Sequence, residues 1–152
     1  FQVRNIMWFE DTPWFIDYQS AFLGPRYYDL ASLLFGSKAG LDDNCRSVLL
    51  QYYFDAVQPD LRSGFDDFIS LFYLFVVMRR LRSLGSYGFL AEAKGKTVFF
   101  KSIKPTLVEL IGLFASQKGL GRFPGLKRMV IGLDEAWTQH EDSFRTRLQS
   151  GG

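Results

Sequence analysis

The sequence predicts a mainly α-helical domain that opens with one β-hairpin and continues through about five or six helices. Three observations predict it. Residues 6–9 (Ile-Met-Trp-Phe) and 14–18 (Trp-Phe-Ile-Asp-Tyr) are short runs of bulky strand-forming types. Between them lies the polar, turn-forming stretch Glu10-Asp11-Thr12-Pro13, which completes a hairpin signal. Beyond Tyr28 the apolar residues recur at spacings of three and four, the period of a helix with one buried face.

The helices follow in order. Gly24-Pro25 breaks the chain, and Tyr28 to Phe35 forms an apolar helical segment closed by Gly36. Asp42 or Asp43 can cap a second helix, with Cys45, Val48, Leu49 and Tyr52 as its apolar positions and Pro59 as its stop. Ser63 can cap a third, with Asp66 three residues on. There Phe65, Phe68, Ile69, Phe72, Phe75 and Val76 lie on one face. Leu71, Leu74, Val77 and Met78 widen it until little is polar, as expected of a central helix. Gly85, Gly88 and Gly95 mark a looser stretch. Ser102 then caps a helix carrying Ile103, Leu107, Leu110, Ile111 and Phe114, with Pro105 tolerated in its first turn. Residues 119–125 read as a loop and 126–137 as a weaker helix. The polar tail, 138–152, reads as flexible.

Length and composition bound the function. A chain of 152 residues, 47% hydrophobic and 17% aromatic, suits one folded domain with a real core. Its first residue is Phe1 rather than Met, which suggests a piece of a longer protein. The formal net charge of +2 predicts no field strong enough for nucleic acid or an anionic membrane. The lone cysteine, Cys45, cannot form a disulfide framework, and its place on an apolar helical face predicts a packed core thiol. A reducing, cytoplasmic setting fits. The longest greasy stretch, Leu71 to Met78, falls far short of the roughly 20 residues of a membrane span.

Few residues could do chemistry. His140 is the sole histidine and sits in the polar tail, so a Ser-His-Asp or Cys-His mechanism lacks its base. Gly119-x-Gly121 has no preceding strand and no following Lys-Ser/Thr, so it is no nucleotide loop. Arg79, Arg80 and Arg82 read as a solvated helix end, and the pairs Asp42-Asp43 and Asp66-Asp67 as helix caps.

The open end of the hairpin is different. Asn5 and Asp17 are polar residues that apolar strands do not explain. With Glu10 to Thr12 as the loop, paired residue numbers sum to 22 and Asn5 faces Asp17. Side chains so opposed lie within reach of one hard cation. A loop one residue longer would set Asp17 opposite Ile6, on the other face. On spacing alone, the favoured reading is the plainer one, with Asn5 capping a turn and Asp17 ending a strand.

Residues 1–7 (Phe-Gln-Val-Arg-Asn-Ile-Met) resemble the end of the kinase-like catalytic loop, His-x-Asp followed by four residues and Asn. Phe15-Ile16-Asp17-Tyr18-Gln19 is similar to the metal-binding segment of small-molecule kinases. Gly24 to Leu34 resembles the helix that follows it in the aminoglycoside phosphotransferase and choline kinase-like families. The resemblance rests on residues 1–35, and beyond them only on helical character and on Gly85-Ser86-Tyr87-Gly88-Phe89.

It implies the C-terminal lobe of a protein kinase-like fold, over residues 1–152 as one domain, cut from an α+β parent. Residues 1–20 would be the catalytic-loop end and metal-binding hairpin. The implied activity is transfer of the γ-phosphoryl group of ATP to a hydroxyl of a sugar, amino sugar or aminoglycoside-like molecule, as in bacterial relatives. Asn5 and Asp17 would hold Mg²⁺ and the phosphates, with Asp29 bracing the loop. The catalytic Asp would immediately precede Phe1, so the fragment alone should be inactive. The missing lobe would leave a face open to self-association. The competing readings are a non-catalytic kinase-like binding module and a plain helical interaction domain.

Overall fold

A computed structural model describes residues 2–19, 21, 23–36, 39–57 and 64–150. The expected stop at Pro59 and cap at Ser63 lie outside the described residues. Among the described residues the fold is mainly helical, with one antiparallel hairpin at the N-terminus followed by five α-helices. Two compact units divide the chain, Phe1–Val76 and Val77–Gly152.

The first unit holds β1 (Ile6–Phe9), β2 (Thr12–Phe15), α1 (Arg26–Leu34), α2 (Asp43–Val57) and the start of α3 (Phe65–Glu92). Its core is aromatic. Phe68 and Phe72 are fully buried, and Tyr27, Tyr53, Phe54 and Phe65 bring their rings to within 5.1–6.2 Å of one another or of Phe68. Phe35 meets Phe72 and Tyr73, and the Arg46 guanidinium covers its other neighbourhood at 4.6 Å.

Asp42 is the cap that α2 uses: its Oδ1 accepts the Cys45 backbone N–H at 2.7 Å. The buried face of α2 is not the expected one. Leu50 and Phe54 are buried with Tyr53 partly so, whereas Val48, Leu49 and Tyr52 are exposed and Cys45 is only half-buried. Both stripes satisfy helical spacing, and the aromatic one wins because Tyr53 and Phe54 find rings to pack against. Gly36 ends α1 where the sequence places it. A Cβ there would lie 2.7 Å from the Ser32 carbonyl oxygen, so no larger residue fits without a shift.

The second unit holds the remainder of α3, α4 (Ile103–Ser116) and α5 (Pro124–Ser150), with 3₁₀ turns at Thr97–Ser102 and Lys118–Arg122. Ala91, Phe100, Ile103 and Leu107 form a buried cluster, with Leu84, Tyr87, Phe99 and Trp137 against it. Gly85 and Gly88 do not loosen the chain: α3 runs through both to Glu92. A mid-helix glycine costs about 1 kcal/mol, which packed neighbours such as Leu84, Tyr87 and Ala91 can offset. Gly95, at φ 63°, supplies the left-handed step that lets the Lys96 N–H reach the Leu90 carbonyl.

Arg79, Arg80 and Arg82 therefore lie inside α3 rather than at a solvated end, and Arg80 donates through Nε and Nη2 to one Glu109 oxygen. Ser102 precedes α4 as expected but makes no side-chain cap, because the 3₁₀ turn before it holds its backbone in the helical region. The expected loop at 119–125 is mostly that second 3₁₀ turn, with Leu120 buried. α5 continues past Trp137 to Ser150, since neither Gly nor Pro interrupts residues 133–150.

Two outcomes test this packing. Gly36→Ala should lower the unfolding free energy by about 1–3 kcal/mol in urea titrations, as an overpacked site does. Tyr73 has its pKa raised above 10.0, first by burial and then by the Asp43 carboxylate, with Arg46 opposing. The native state then holds a proton that the unfolded state releases, so stability falls as pH rises above 10. Urea midpoints compared at pH 9 and pH 11 should drop less for Tyr73→Phe than for the unsubstituted chain.

Candidate functional site

The hairpin closes through a two-residue turn, and this decides its register. Glu10 and Asp11 both take positive φ, 48° and 56°, the pattern of a type I′ turn. The strands then pair Ile6 with Phe15, Met7 with Trp14, Trp8 with Pro13 and Phe9 with Thr12. Partner numbers sum to 21, one less than expected, and neither anticipated register occurs. Extended strands in this register would not set Asn5 opposite Asp17.

The two residues meet nonetheless. Asn5 Nδ2 donates to Asp17 Oδ2 at 3.1 Å. Two departures from extended backbone bring this about. Val3–Asn5 is a 3₁₀ turn, in which the Asn5 N–H bonds the Gln2 carbonyl while the Asn5 carbonyl accepts the Ile16 N–H at 3.0 Å. On the other strand, Asp17 has φ 62°. A left-handed step at a non-glycine residue costs roughly 1–2 kcal/mol, and aspartate is among the few residues that tolerate it. The step reverses the side-chain direction that continued extension would impose and swings the carboxylate back to Asn5.

A third residue, which reasoning from spacing missed, completes the group. Gln19 Nε2 donates to Asp17 Oδ1 at 2.8 Å, so each carboxylate oxygen accepts one amide N–H. The only signal in the sequence was a glutamine two positions beyond the aspartate. A carboxylate has about four lone-pair positions, so two bonds leave capacity for a further donor or a cation. Asp17 is exposed, which keeps that capacity open to solvent. Asp29 lies exposed in the first turn of α1.

The site resides on an apolar hairpin. Met7, Trp8, Phe9, Trp14, Phe15, Ile16 and Tyr18 are all exposed, Trp8 at 70% and Tyr18 at 75%. Among the described residues, no group of three or more His, Cys, Asp or Glu is placed to hold a metal. His140 is exposed on α5 with its Nδ1 at 2.9 Å from the Ala136 carbonyl, a local helix contact.

Residues 1–64 match the model of the phosphotransferase enzyme family. The matched stretch contains the hairpin, α1 and α2, and it supports a phosphotransferase-type function, that of a transferase of the kinase kind. No curated protein and no solved structure matches the chain significantly. No described helix is long and apolar enough to cross a membrane.

Because Asp17 and Gln19 are exposed and Asn5 only half-buried, the group contributes little to folding. Asp17→Asn, which keeps the tolerance for positive φ, should change the unfolding free energy by less than about 1 kcal/mol. A larger loss in urea titrations would assign Asp17 a structural role.

Proposed function

We propose that this chain supplies the C-terminal lobe of an ATP- and Mg²⁺-dependent phosphotransferase that moves the γ-phosphoryl group to a hydroxyl of a small molecule, such as a sugar or amino sugar. The observation that carries this reading is the Asn5–Asp17–Gln19 group, held by a left-handed aspartate inside the stretch that matches the family. Backbone held in a costly conformation at an exposed carboxylate has no folding advantage to explain it.

The donor set fits Mg²⁺. The ion takes hard oxygen ligands and commonly uses one or two carboxylates with substrate phosphates and waters, rather than a cage built wholly from protein. Asp17 offers its carboxylate and Asn5 its side-chain carbonyl. As the hydrogen bond stands, Asn5 turns its Nδ2 to the carboxylate, so binding a shared cation requires the amide to turn over. Gln19 steadies the other carboxylate oxygen and so sets the plane of the group. When bound, the ion would neutralise phosphate charge, the larger part of catalysis in this chemistry.

In this reading residues 1–20 are the end of the catalytic loop and the metal-binding hairpin. Asp29 is a positioning residue behind the loop. The exposed hairpin rings suit a surface that the rest of the enzyme would cover. The setting is cytoplasmic, where ATP is supplied.

The test is Asp17→Asn in the complete phosphotransferase. Phosphoryl transfer should fall at least about 100-fold, a loss of a few kcal/mol of electrostatic stabilisation. Turnover near that of the unsubstituted enzyme would leave a binding module as the better description.

A further inference from the structure

The carboxylate of Asp17 commits each of its oxygens to a different amide. Oδ2 accepts Asn5 Nδ2 at 3.1 Å, and Oδ1 accepts Gln19 Nε2 at 2.8 Å. The two bonds are not equivalent. An N–H donating to or from a charged group settles at about 2.7–2.9 Å when it is strong. The Gln19 bond falls in that range and the Asn5 bond lies outside it, so Asn5 is the partner that yields more readily.

The consequences for a cation differ on the two sides. Once the Asn5 amide turns over, Oδ2 is flanked by a side-chain carbonyl, an oxygen of the kind that Mg²⁺ accepts. Oδ1 keeps the positive end of the Gln19 N–H pointed at it. Each carboxylate oxygen retains a further lone pair, but a cation placed on that of Oδ1 would lie against this N–H and be repelled.

Charge sets a second constraint. The group consists of one carboxylate and two neutral amides, so it carries a single negative charge. Among the described residues, no group of three or more His, Cys, Asp or Glu is placed to hold a metal. One divalent cation already exceeds the charge of Asp17, and a second would face the first across the same carboxylate. Glutamine is the residue type on which this turns. It has the shape of glutamate, yet it donates where glutamate only accepts. A glutamate at this position would add negative charge and remove the N–H that closes Oδ1.

Resting on the phosphotransferase reading, we propose that the site takes a single divalent cation at Oδ2 with the Asn5 side-chain carbonyl, and that Gln19 is the positioning residue that keeps Oδ1 closed to a second. The side chain of Gln19 is exposed, so this part is separable from folding.

The experiment counts Mn²⁺, a stand-in for Mg²⁺ visible by electron paramagnetic resonance, on the complete phosphotransferase with a non-hydrolysable ATP analogue. The unsubstituted enzyme should bind one Mn²⁺ per nucleotide and give the spectrum of an isolated ion. Gln19→Glu should bind two, with the broadening of ions in close contact, and circular dichroism should show its fold intact. Two coupled ions on the unsubstituted enzyme would overturn the proposal and leave the phosphotransferase reading standing. A folded Gln19→Glu enzyme that still takes one ion would do the same. Asp17→Asn tests the reading itself, because it should weaken Mn²⁺ uptake at least about tenfold. Unchanged uptake there would remove the cation site, and both the reading and the proposal with it.

Discussion

The first unit is organised around the burial of Phe68. This ring is wholly excluded from solvent and packs against Tyr27 of α1, Tyr53 and Phe54 of α2, and Phe65 one turn away on α3. Each aromatic pair is worth about 0.5–1.5 kcal/mol beyond the area it buries, and burial of a phenylalanine contributes roughly 1.5–3 kcal/mol. The contacts do more than add stability. They choose the angle at which α1 and α2 meet α3, and through α2 they choose which helix face turns inward. The exposure of Val48, Leu49 and Tyr52 follows from that choice.

The candidate site obeys a different constraint, set by backbone rather than by packing. Its hairpin has no buried residue in either strand, so hydrophobic burial does not hold it in register. Turn geometry takes over: two consecutive left-handed residues, Glu10 and Asp11, commit the ladder to one pairing. The third left-handed residue, Asp17, then determines where the carboxylate points. Asn5 is fixed from both sides, through its N–H to Gln2 and its carbonyl to Ile16. A carboxylate held between two amides by such a frame has a set orientation, at the expense of local conformational energy.

Long-range charge pairing plays the corresponding part in the second unit. Arg80 and Glu109 join α3 to α4, and Lys104 joins α4 to Asp134 of α5. Both pairs connect residues about thirty positions apart, so neither is visible as an i, i+4 pattern. The expectation of a solvated arginine end at 79–82 failed for the same reason. A continuous α3 carries Arg80 to a partner that local sequence does not reveal.

The sequence by itself determined the order and type of most elements, because hairpin and helix signals are local. The opening strands, the helix closed by Gly36, the Asp42 cap and the apolar stripe of α3 from Phe65 to Val76 could all be read from it. It also contained the residues of the candidate site. Only the tertiary structure decided the buried face of α2, the passage of α3 through two glycines, and the continuation of α5 beyond Trp137. It alone decided how Asn5 reaches Asp17, since a register one residue off the expected one is rescued by the 3₁₀ turn at Val3–Asn5 and the left-handed step at Asp17. Periodicity reports which faces a segment could bury; the choice among them belongs to the side chains that arrive from elsewhere in the chain.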